Sequence, residues 1–71
     1  MHEFKEGRRY RLHIRPAGSR SKIVIREYNF LETTKDGVHL FDARPEGGTQ
    51  QLPDDMILKH EDIGRAIWSR V

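Results

Sequence analysis

Arg9, Arg11, His13 and Arg15 take every second position of the run RRYRLHIR at 8–15, with Tyr10, Leu12 and Ile14 between them. An extended backbone advances about 7 Å over two residues. These cations would therefore leave one face at close to the interval of phosphates along a nucleic-acid strand. Each guanidinium can hold two phosphate oxygens at once. Arg20 and Lys22 follow in a loop and lengthen the row, and His13 among the arginines offers a hydrogen bond to a base or to backbone. The chemistry this suggests is attraction to the backbone of RNA or DNA. The same residues also suit a solvated face whose arginine stems cover apolar surface, with acids from a neighbouring strand as partners.

Aromatic side chains decide between stacking on bases and contacting phosphates alone. Tyr10 shares the parity of Leu12 and Ile14, and Tyr28 and Phe30 are expected to turn inward. Phe41, on the parity opposite to Val38 and Leu40, could stack on a base if those two face inward, but the preferred reading makes them the outer pair and Phe41 inward. With no ring left among the cations, the expected contact is to backbone and weakly specific.

Other chemistry finds less material. His2, His13, His39 and His60 do not converge with metal-ligand spacing, so no metal or cofactor is expected. The adjacent pairs Asp54–Asp55 and Glu61–Asp62 diverge along a strand, and Ser19, Ser21 and Ser69 sit outside any nucleophile-elbow pattern. No enzyme is expected. A second functional class remains open: Ile63, Ile67 and Trp68 in the last segment either fold back over the domain or, together with an open edge strand, present a surface to a protein partner or another copy.

These side chains need strands to position them. The alternation at 8–15 is that of a half-buried strand, ended by Pro16 and Gly18. KIVIREYNFLE at 22–32 is rich in β-branched and aromatic residues, but Ile23 and Ile25 share one parity and Tyr28 and Phe30 the other. An extra residue near Arg26–Glu27 would reset the phase and bend the strand. TTKDG at 33–37 predicts a turn, VHLFDA at 38–43 a third strand, RPEGG at 44–48 a second turn and TQQL at 49–52 a fourth strand. In the tail, Met56, Ile57 and Leu58 predict a short strand, and Ile63, Ile67 and Trp68 a helical turn.

The expected architecture is all-β, a small antiparallel barrel of four to five strands with a short C-terminal helical turn. One domain spans 1–71: an N-terminal arm at 1–7, a barrel at 8–58 and a tail at 59–71. The strand lengths, the bent second strand and the Lys35-Asp36-Gly37 turn resemble the small SH3-like barrels, including bacterial Sm-like RNA-binding proteins, over roughly residues 8–63. That resemblance implies RNA as the nucleic acid.

Seventy-one residues with 35% hydrophobic content support one compact core. Cysteine is absent, and the longest apolar runs, IVI and MIL, are far too short to span a bilayer. A cytoplasmic protein without a membrane partner is the expectation. The net charge of +2 conceals a polarity: residues 1–26 carry eight cations against two acids, and residues 27–71 carry five cations against nine acids.

Overall fold

The computed structural model describes residues 2–18, 22–44 and 47–68. Arg20 therefore lies outside the described residues, as do positions 45–46 of the second expected turn and 69–71 of the tail. The chain is all-β. Strands β1 (Arg8–Ile14), β2 (Val24–Thr33), β3 (Val38–Asp42), β4 (Thr49–Pro53) and β5 (Ile57–Arg65) form one antiparallel sheet, with a single 3-10 turn at Asp54–Met56. Their order across the sheet is β4-β3-β2-β1-β5. The sheet curls around its core, but among the described residues no pairing of β4 with β5 closes it into a barrel.

β1 follows its alternation. Tyr10, Leu12 and Ile14 are buried and join Phe30, Phe41, Leu52 and Ile57 in the core. Phe41 is fully buried, as its parity predicts. The Asp36-Gly37 signal also forms the expected turn: Gly37 has φ +83, which favours glycine. Its N–H donates to the Thr34 carbonyl at 3.0 Å, and the Thr34 hydroxyl accepts from Val38 N–H at 3.2 Å.

Two expectations about strand phase need correction. The β1–β2 register runs unbroken from Arg9↔Asn29 to Ile14↔Val24, so no bulge lies at Arg26–Glu27. The irregularity falls between Phe30 and Glu32, on the side facing β3. Val24, Tyr28 and Phe30 share the core-facing parity, while Ile23 and Ile25 are left about half exposed. The physical reason is the register with β1: Val24 stands level with buried Ile14, whereas Ile25 stands level with His13 on the face opposite the core, and Ile23 shares its parity.

The helical turn expected around Ile63, Ile67 and Trp68 is not formed; β5 continues through Arg65 instead. Its pairing with β1 skips Leu58 between Ile14↔Ile57 and His13↔Lys59, and skips Ile63 between Tyr10↔Asp62 and Arg9↔Gly64. Two bulges break the two-residue period, so Ile63 sits out of strand phase, while Ile67 and Trp68 lie beyond the end of β5. Among the described residues, no helix is long and apolar enough to cross a membrane.

The N-terminal arm supplies what the open sheet lacks. Phe4 inserts among Tyr10, Phe30, Phe41, His39 and His60, with ring centroids 4.6–5.3 Å away. Tyr10 Oη accepts the Lys5 N–H at 2.8 Å and fixes the arm beside β1.

Candidate nucleic-acid interface

On the face of β1 opposite the core, register decides the fate of each cation. Arg11 lies level with Glu27 of β2 and Glu61 of β5, and its guanidinium meets both carboxylates, at 3.1 and 3.2 Å. Arg9 lies level with Asn29 and is held by neutral oxygens: Asn29 Oδ1 at 3.0 Å, the Glu27 carbonyl at 2.9 Å and the Arg44 carbonyl at 3.4 Å. His13 stands between Ile25 and Lys59 in the adjoining strands. Arg15 is exposed just past the end of β1, its backbone N–H donating to the Met56 carbonyl at 2.9 Å. Lys22, across the loop, is exposed as well.

The row of cations is therefore interrupted at Arg11. Arg8 pairs bidentately with Asp62, whose carboxyl is held below the usual range chiefly by this hydrogen bond. Such exposed pairs contribute little stability but remove charge from the surface. The sequence itself is most basic around the loop between β1 and β2. From His13 to Arg26 the sequence has four Lys or Arg and no acid. Arg26 is exposed, its guanidinium donating to the Ile25 carbonyl at 2.9 Å.

The tail residues read as an alternative surface fold back over the sheet. Ala66 N–H donates to the Gly7 carbonyl at 2.9 Å. The fully buried Asn29 then clasps Ile67 from both sides, accepting from its N–H at 2.8 Å and donating to its carbonyl. The Ile67 and Trp68 side chains stay about half exposed, Trp68 beneath the Arg44 guanidinium at 5.7 Å, while Ile63 is partly buried at its bulge. Arg44 in turn grips Asp42 with hydrogen bonds of 2.8 and 2.9 Å, which hold that carboxyl below its ordinary range. Sequence reasoning missed this Asn29–Asp42–Arg44 group. A polar residue between Tyr28 and Phe30 was its only trace.

A second polar group was also missed. His39, nearly fully buried, donates from Nε2 to Asp54 Oδ1 at 2.8 Å, and Thr33 Oγ1 lies 2.8 Å from its Nδ1. The same Asp54 oxygen accepts the His2 N–H at 3.0 Å. His2 Nε2 donates to the Ile57 carbonyl, which leaves His2 Nδ1 facing His60 Nδ1 at 2.8 Å. Only one of those facing nitrogens can carry a proton. Among the described residues, no three His, Asp or Glu side chains are placed to hold a metal ion.

This arrangement makes arm docking sensitive to acid. Burial, then the neighbouring His2 and His39, push His60 below the ordinary histidine value, with Asp54 opposing them. Because the folded value lies below the unfolded one, His60 contributes stability that is complete above about pH 6.5 and declines as pH falls from there toward the folded value. The Asp54 carboxyl, lowered mainly by the His39 hydrogen bond and then by that of His2 N–H, adds a second loss nearer pH 4. We expect the urea midpoint to drop between pH 7.5 and 5.5, and His60→Gln to flatten that slope. An unchanged slope in the variant would show that the histidine pair is not its source.

No family model, curated protein or solved structure matches the chain.

Proposed function

We propose that the protein binds the phosphate backbone of nucleic acid, with little sequence specificity, through the basic end of the β1–β2 hairpin. The observation that carries this reading is the acid-free stretch from His13 to Arg26 with its four Lys or Arg residues. Exposed Arg15 and Arg26 flank it within the described residues. Arg11, with two carboxylates, and Arg9, with three neutral oxygens, support it less than their place in the sequence suggests. Trp68 is the one exposed aromatic side chain among the described residues, and it belongs to the tail. The hairpin thus has cations without a stacking platform, which favours backbone contact over base reading.

The resemblance to Sm-like barrels makes RNA the first ligand to try. The test is titration of labelled RNA and DNA, single- and double-stranded, at two salt concentrations. Two or three phosphate contacts predict a log–log salt slope of about −2. Arg15→Glu with Arg26→Glu is expected to weaken binding by about tenfold or more, and Arg11→Glu by less, since two acids already offset that charge. Absence of binding at low salt would overturn the reading.

A protein-interaction module is the second reading, favoured by the half-exposed Ile67 and Trp68. Trp68→Ala in the same titration separates the two, because it leaves the hairpin untouched.

A further inference from the structure

Among the described residues, the first half of β2 has an edge with no strand opposite it, and the direction of that edge follows from hydrogen bonds elsewhere. Arg15 N–H donates to Met56 and the Gly7 carbonyl accepts from Ala66, so the odd-numbered backbone groups along β1 face β5. Even-numbered β1 residues therefore bond to β2, through their partners Val24, Arg26 and Tyr28. The backbone groups of Ile25, Glu27 and Asn29 must then point the other way. Asn29 meets Asp42 of β3 there, and β3 pairs with nothing before it. At Ile25 and Glu27 the ladder has donors and acceptors but no strand opposite them among the described residues.

Two arginines occupy part of this gap. Arg9 donates to the Glu27 carbonyl and Arg26 to the Ile25 carbonyl, each at 2.9 Å. Arg9, Ile25, Arg26 and Glu27 line an open groove of about 510 Å³ along the same edge. The Glu27 carboxylate is engaged by Arg11. Guanidiniums resting on ladder acceptors discourage indiscriminate strand pairing, and they also define what could replace them.

We propose that this edge takes an extended acidic segment of another protein, which adds as a strand in line with β3. Its backbone would supply the N–H and C=O groups that Ile25 and Glu27 lack, and its carboxylates would draw Arg9 and Arg26 off the carbonyls. The half-exposed Ile25 side chain gives the added strand an apolar neighbour. A second copy of this chain fits poorly, because pairing the same edges would set Arg26 of one copy near Arg26 of the other. A phosphodiester backbone would satisfy the guanidiniums but offers no row of N–H donors for the ladder carbonyls.

The test is NMR titration of the full chain with a short capped peptide of alternating valine and aspartate, beside its valine–lysine counterpart and a single-stranded RNA. The acidic peptide is expected to slow amide exchange at Ile25 and Glu27 and to bind at least about tenfold tighter than the basic one. Ile25→Pro removes one edge N–H where proline is tolerated, and Arg26→Glu removes the charge match without touching the backbone. Loss of binding in Arg26→Glu supports the proposal even where Ile25→Pro fails to fold. No binding, protection elsewhere than Ile25 and Glu27, equal binding of the basic peptide, or equal protection of these amides by RNA would overturn it.

Discussion

Phe4→Ala is expected to lower the free energy of unfolding by about 3 kcal/mol, a figure normally associated with a core strand. Phe4 lies in an arm without regular secondary structure and is only partly buried. Its ring nevertheless meets Tyr10, Phe30, His39, Phe41 and His60, and it packs against the core cluster that the open sheet surrounds. Alanine would leave a void bordered by five rings whose positions are fixed by four strands, so collapse into the space is limited. For a domain this small the loss is a large share of the total, which is typically about 5–15 kcal/mol. Urea unfolding provides the measurement, and Phe4→Leu is expected to recover part of the loss. A cost below about 1 kcal/mol would show that the arm packs against the domain without belonging to its core.

Asn29→Ala is expected to cost about 2–3 kcal/mol and to release the C-terminal tail. The amide is fully buried and serves four partners: the Ile67 N–H, the Ile67 carbonyl, the Arg44 carbonyl and the Arg9 guanidinium. Removing it strips the tail of its two backbone hydrogen bonds to β2 and leaves Arg9 with carbonyl partners only. Trp68 reports the release, since its ring packs near Arg44 at 5.7 Å while the clasp holds. Its emission is expected to shift red, and protease sensitivity after Arg65 to rise. Asn29→Asp keeps the acceptor but loses the donor, and it adds a carboxylate level with Asp42, so it is expected to fall short of wild type. Unchanged Trp68 emission in Asn29→Ala would mean that the tail is held by something other than this amide.

The parts of the fold that showed in the sequence are those where one strand face meets the core along its length. Tyr10, Leu12 and Ile14 alternate because they do so, and Phe41 was placed by the same logic. The pattern failed where apolar residues take the outer face or where a bulge intervenes. Ile23 and Ile25 look like core residues but take the parity of His13 on the face opposite the core, and the bulge at Ile63, with Ile67 and Trp68 past the end of β5, hid the last strand behind the spacing of a helical turn. The cations were legible as a row, but their compensation was not. Which acids stand beside Arg11 is set by the registers of β2 and β5, whose partner residues lie 16 and 50 positions away in the chain.

The strand order also fixes when the molecule can be finished during synthesis. β1 emerges first, and β5, the strand that covers its second edge, emerges last of the five. Until residues 57–65 leave the ribosome, the nascent chain carries a buried-type strand with one side unpaired. Folding of the sheet is therefore completed only once β5 is available, through the closure of a long loop. A message truncated before Ile57 would yield a product whose first strand is left as an adhesive edge, fit for aggregation or for a chaperone.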